Sequence, residues 1–193
     1  MRLNRNVQSR RTAAMGFREE YRPRNGDYRT AALDLLRAFL LCEDPVACER
    51  LSFWMRQIRF KSLTRPLLEA ARYLPGSKHE LVVYVLADLF DVRCTPFFRK
   101  MWRDTSRPTG IRCVSLEALG WNFGRKPRLL REELQLAVQD ADQDVVMSAA
   151  CILTYAWNPG FIDIRDRLLT NPGSSSGGRS LAEFVRKKVR WTA

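Results

Sequence analysis

Residues Ile111 to Gly120 read Ile-Arg-Cys-Val-Ser-Leu-Glu-Ala-Leu-Gly. Ile111, Leu116 and Leu119 fall on one side of a helix built from this stretch. The same spacing of apolar positions occurs at Val46 with Leu51 and Trp54, at Leu81 with Leu86 and Leu89, and at Val145 with Ala150 and Leu153. The four starts, at 46, 81, 111 and 145, lie 35, 30 and 34 residues apart. A period of about 20 to 50 residues marks a repeat array, because one helix pair cannot bury its own apolar face and must stack on neighbours.

The intervening segments supply the second helix of each pair. Ser62 opens one through Leu63, Leu67, Leu68, Ala71 and Leu74, and Pro75-Gly76 ends it. A short helix follows through Phe97, Phe98, Met101 and Trp102, another runs from Pro127 to Val138, and Asn158-Pro159 leads into Phe161, Ile164 and Leu168. Start signals are frequent. Asp27 is placed to cap a first helix through Leu33, Leu36, Phe39 and Leu40. Asp44-Pro45 reads as a cap followed by proline at the first helical position. Ser77 with Glu80 reads as a capping box, and Asp142 caps the helix from Val145 to Ala156. Leu81 to Phe90 is apolar nearly all round, so that helix is expected between neighbours. No strand-period alternation and no hairpin turn signal occur.

The expected class is all-α, with about four antiparallel helix pairs in a short α-solenoid. Residues 1–26 form a basic arm, 27–170 the repeat body, 171–179 a Gly/Ser linker and 180–193 a basic amphipathic helix. Ser180 and Glu183 form a capping box for that last helix, which is read as the cap that hides the terminal repeat's apolar surface, against a mobile basic amphipathic segment for a partner or an anionic membrane.

The stretches Ile111–Gly120 and Asp142–Ala150 resemble the first helices of HEAT repeats. The family's pattern of an acidic turn, valine and arginine, alanine, and a leucine–glycine end is matched by Asp142 to Ala150 in one repeat and by Ile111-Arg112 and Leu119-Gly120 in another. The segments at Val46 and Leu81 match in apolar positions only, and the resemblance spans roughly residues 28–170. It implies that the second helix of each pair lines a concave face. On those helices Arg65, Arg72, Arg99, Lys100, Arg103, Arg128 and Arg131 lie away from the apolar stripe, with Trp102 and Tyr73 as aromatic anchors. Guanidinium groups pair bidentately with carboxylate or phosphate. For Trp102, four residues after Phe98, a place in the core competes with that role.

The net charge is +12 over 193 residues, and it is unevenly spread. Residues 1–25 carry +5 and residues 179–193 carry +4. Within the body, residues 92–131 hold +8 and residues 132–166 hold −6. Adjacent patches of opposite sign suit an oriented protein partner better than uniform tracking of a phosphate backbone. The N-terminal arm is also read against a transit peptide and a nucleic-acid-binding arm.

Catalytic chemistry finds no foothold. His79 is the single histidine, so a multi-histidine metal site is excluded, no Ser/His/Asp grouping can be argued around it, and Gly173, Gly177 and Gly178 lack the strand a phosphate loop requires. Five scattered cysteines with no C-x-x-C spacing read as small buried hydrophobes in a reducing compartment. Asp140, Asp142 and Asp144 read as a turn and helix cap rather than a cation loop. No apolar run is long enough to cross a membrane.

The sequence therefore predicts a cytoplasmic, non-enzymatic scaffold that needs no cofactor or metal. It is expected to capture a protein with an acidic surface, as an adaptor or a toxin-neutralising immunity protein does. The alternative is nucleic-acid binding, through the basic tails or in the manner of HEAT-like alkylpurine DNA glycosylases, for which Trp102 with Asp104 is the nearest match.

Overall fold

The computed structural model describes residues 28–123, 126–170 and Val185. Among them every regular element is helical. In chain order these are α1 (Tyr28–Leu41), α2 (Pro45–Ile58), α3 (Thr64–Ala70), α4 (Gly76–Asp88), α5 (Thr95–Arg103), α6 (Thr109–Phe123), α7 (Pro127–Ala137), α8 (Gln143–Tyr155) and α9 (Ile162–Thr170). Short 3-10 turns, Lys61–Leu63, Val92–Cys94 and Pro159–Phe161, lead into α3, α5 and α9. None of the helices is long and apolar enough to cross a membrane.

The caps follow the sequence at most starts. Asp44 accepts from the Val46 amide with Pro45 behind it, and Asp142 accepts from the Asp144 amide. Asn158 accepts from the Gly160 amide to open the turn before α9. The Ser77–Glu80 capping box is corrected. α4 begins at Gly76, two residues sooner than a Ser77 cap would allow, and no side chain caps it. Gly76 takes a positive φ of 54°, which sets the chain's entry into the helix before Ser77 can act. Three of the second helices, α3, α5 and α9, also begin differently from their expected form, each through a 3-10 turn. Asp91 caps the one before α5, an acid that the sequence pattern does not single out.

Packing follows the period. α2, α4, α6 and α8 pack each against the next. Their buried residues, among them Met55, Val82, Val85, Leu86, Leu116, Leu119, Val145 and Leu153, belong to one continuous core with Leu67, Phe98, Leu130 and Phe161 of the second helices and their turns. Polar contacts keep the same interval. Arg56 pairs with Asp88, Thr64 with Asp91, Arg131 with Asp163 and Ser148 with Glu117, across 32, 27, 32 and 31 residues. Each pair ties an element to its counterpart one period away. Val185 is helical and fully buried in this core. The basic arm, the linker and the rest of the expected terminal helix lie outside the described residues.

The leucine–glycine end of α6 has a packing reason. A Cβ on Gly120 would lie 2.6 Å from the Tyr155 hydroxyl and 2.9 Å from both Ile152 γ-carbons. Ile152 is wholly buried and has no room to retreat, and the Tyr155 ring is stacked on Trp121 at 4.4 Å. Gly120→Ala gains about 1 kcal/mol of helix propensity but overpacks the α6–α8 contact by about 1–3 kcal/mol. The expected result is a net loss of roughly 1 kcal/mol in urea unfolding. A variant at least as stable as the parent would show that the close approach does not need glycine.

Candidate functional site

The basic residues singled out on the second helices divide into two groups. Arg99, Trp102 and Arg103 of α5 converge on Glu133 of α7, whose side chain is fully buried. Arg99 Nε donates to Oε1 at 2.6 Å, Trp102 Nε1 donates to Oε2 at 2.9 Å, and Arg103 Nη2 donates to both oxygens at 3.0 Å. A carboxylate taken out of water needs such partners, because its desolvation is expensive. The indole is 2% exposed, so Trp102 holds the carboxylate from within the core and offers no ring face to a partner. Arg131 reaches the next repeat and pairs with Asp163 at 2.7 Å.

The second group is free. Arg72, Lys100 and Arg128 are exposed with no ion-pair partner among the described residues, and Arg65 is exposed with only an i,i+4 contact to Glu69. α3 and α5 are joined by Thr64 to Asp91 and by Arg93 to the Lys61 carbonyl. The Glu133 cluster joins α5 to α7. The second helices thus lie side by side, and these cations recur along them.

The two charge patches of residues 92–131 and 132–166 are largely one internal system. Arg99 and Arg103 use Glu133, Arg112 uses Asp140 and faces Asp142, and Arg131 uses Asp163. Arg112 is itself buried and also donates to the Trp102 carbonyl. Asp142 accepts from the Thr109 hydroxyl, which with its cap bond holds its carboxyl below the usual range. A shallow groove of about 750 Å³ runs past Arg103, Arg112, Leu136 and Asp140. Its charged walls are already paired with each other. Asp104 caps its own turn by accepting from the Ser106 amide and hydroxyl, and it does not meet Trp102 in a shared cleft.

Two further features escape the sequence reading. Phe90, Trp121 and Tyr155 form an aromatic row, with Phe90–Trp121 edge-on at 5.9 Å and Arg59 over Phe90 at 5.1 Å. Trp121 is 57% exposed there. The signal was present as one bulky aromatic per period, but the apolar pattern did not separate it from the core. The second feature is a small cavity around His79, described below. The five cysteines are free thiols, and burial pushes Cys94 up to about 12, which keeps it protonated. Among the described residues no group of three or more His, Cys, Asp or Glu side chains is placed to hold a metal. No protein-family model matches this chain, and no curated protein matches it.

Proposed function

From this two-layer helical body, we propose that the chain is a short HEAT-like α-solenoid acting as a non-enzymatic scaffold. It captures a protein with an acidic surface on the face formed by its second helices. The supporting observation is the row of unpaired cations, Arg72, Lys100 and Arg128, with Arg65 beside them, on helices joined side by side. Their neighbours Arg99, Arg103 and Arg131 are held in place by buried or half-buried carboxylates, so the row stands on a fixed base. Such a surface registers a partner by charge and shape at little conformational cost. An adaptor or a toxin-neutralising role fits it.

The test is the triple charge reversal Arg65→Glu, Lys100→Glu, Arg128→Glu, all at exposed positions where the fold is indifferent. Affinity capture from native lysate is compared with the parent chain, and circular dichroism confirms equal helicity. An acidic protein retained by the parent and lost by the triple variant is the expected result. Identical capture by both chains overturns the proposal. Retention of duplex DNA at physiological salt by a chain that lacks residues 1–26 and carries Arg186→Gln, Lys187→Gln, Lys188→Gln and Arg190→Gln, with the buried Val185 kept, would move the reading to nucleic acid, since binding by the basic tails alone is removed in that chain.

A further inference from the structure

Arg72, just beyond α3, and Arg107, just before α6, flank a cavity of about 250 Å³ at the start of α4. His79 lines it. Its side chain is more than nine-tenths buried, at 7% exposure, yet the imidazole has no hydrogen-bond partner among the described residues. Its one ring neighbour is Phe97, at 6.3 Å. The imidazole instead borders the open cavity that Arg72 and Arg107 also line. The first turn of α4 adds to the same site. It starts at Gly76 with no capping side chain, so its leading amides have no side-chain acceptor.

We propose that this cavity is a binding site for a carboxylate group, held by Arg72, Arg107, His79 and the first amides of α4. The charge balance selects the class of anion. Glu80 also lines the cavity and Asp104 pairs with Arg107, so the two guanidinium charges are already largely offset. These four charges sum to zero, so a carboxylate is balanced once His79 takes up a proton, whereas a phosphate dianion would leave the site net negative. Leu74, Pro108 and Ile111 supply an apolar wall, which suits a short alkyl chain behind the carboxylate. The ligand is either a small free acid or a side chain or terminus of a partner, and the recognition chemistry is the same.

Protonation of His79 couples to this site. In the free protein burial, with Arg107 beside it, holds the imidazole below its usual range, while Glu80 opposes that shift. A bound carboxylate adds an acceptor and a negative charge, both of which favour the imidazolium. Binding therefore strengthens as pH falls through the imidazole's depressed range, and saturation raises the imidazole pKa.

His79 is the chain's single histidine, so the untagged protein gives one imidazole signal by NMR. Butyrate is the probe, with 1-butanol as its neutral counterpart and inorganic phosphate as the competing anion. The expected result is a saturable shift of that signal with butyrate and none with 1-butanol. Arg72→Gln, at an exposed position, should weaken the butyrate response roughly tenfold, and Arg107→Gln should do the same. The absence of a saturable shift at butyrate concentrations on the order of 0.1 M overturns the site. An unaltered response in Arg72→Gln overturns the assigned ligands, and tighter binding of phosphate than of butyrate overturns the carboxylate class. Arg72 also belongs to the partner-binding row, but the triple charge reversal leaves it and Arg107 unchanged, so the butyrate response and partner capture can fail independently.

Discussion

Glu133→Ala is expected to cost the fold about 4 kcal/mol, within the range for removing one member of a buried charge cluster. Alanine leaves Arg99 and Arg103 facing each other with no carboxylate between them, and it leaves the Trp102 indole donor unpaired in the core. The opposing estimate comes from exposed ion pairs, which contribute about 0–1 kcal/mol. Arg99 and Arg103 are partly exposed, at 34% and 44% of their side chains, so water relieves some of their repulsion. The carboxylate itself has no access to water, and the indole donor has none either, so the buried end decides the sign. A fall in melting temperature of roughly 10 °C follows for a chain of this size. Glu133→Gln keeps the shape and one acceptor, so its loss should be near half that of alanine. Urea unfolding of the three proteins measures both. A loss under about 1 kcal/mol for Glu133→Ala would mean that the cluster behaves as a solvated surface pair.

This cluster also explains why the sequence yields the helices more readily than the surface. The apolar interval at Val46, Leu81, Ile111 and Val145 needs only periodicity to be read, and α2, α4, α6 and α8 contain those residues. Asp44, Asp142 and Asn158 cap as local chemistry requires, because a cap is decided within three residues. Ser77 fails as a cap because α4 already starts at Gly76, at a positive φ and two residues sooner than a Ser77 cap would allow, and a backbone torsion is invisible to a pattern of side chains. Charge behaves differently again. The excess of arginine in residues 92–131 and of acid in residues 132–166 is plain in the chain, but its destination is not. Pairs such as Arg99–Glu133 and Arg131–Asp163 form because α7 lies beside α5 and α9 beside α7. A search for opposite charges about one period apart would have found them. Trp102 illustrates the same limit: of its two readings, anchor or core, the core one holds, and its indole is fixed by a carboxylate 31 residues away in sequence.

Asp91 is where that coupling between repeats is expected to show most clearly in pH. Its carboxylate, 4% exposed, accepts from the buried Thr64 hydroxyl at 2.7 Å, from the Arg93 amide at 3.0 Å and from the Arg93 side chain. Burial alone would raise its pKa; the bonds from Arg93 and Thr64 outweigh burial and hold it down to about 2. Asp91→Ala strands a hydroxyl that is 1% exposed, at about 1–3 kcal/mol, and removes the cap of the turn before α5, at about 1 kcal/mol. The expected total is about 3 kcal/mol at neutral pH, with no allowance for the exposed end of Arg93. Asp91→Asn separates the charge from the hydrogen bonds, since asparagine caps about as well as aspartate and keeps an acceptor for Thr64. Because the folded pKa is depressed, the carboxylate's own contribution is complete above about pH 4 and is lost as pH falls toward about 2. That contribution is about 2 kcal/mol, from a shift of nearly two units at roughly 1.4 kcal/mol each, reduced for the solvent around Arg93. The stability gap between parent and Asp91→Asn should therefore close as the solution is acidified through this window, while the other carboxylates, common to both proteins, cancel. A gap that stays constant from pH 7 down to about 2.5 would show that Asp91 acts through its hydrogen bonds alone and that its charge contributes nothing to holding the two repeats together.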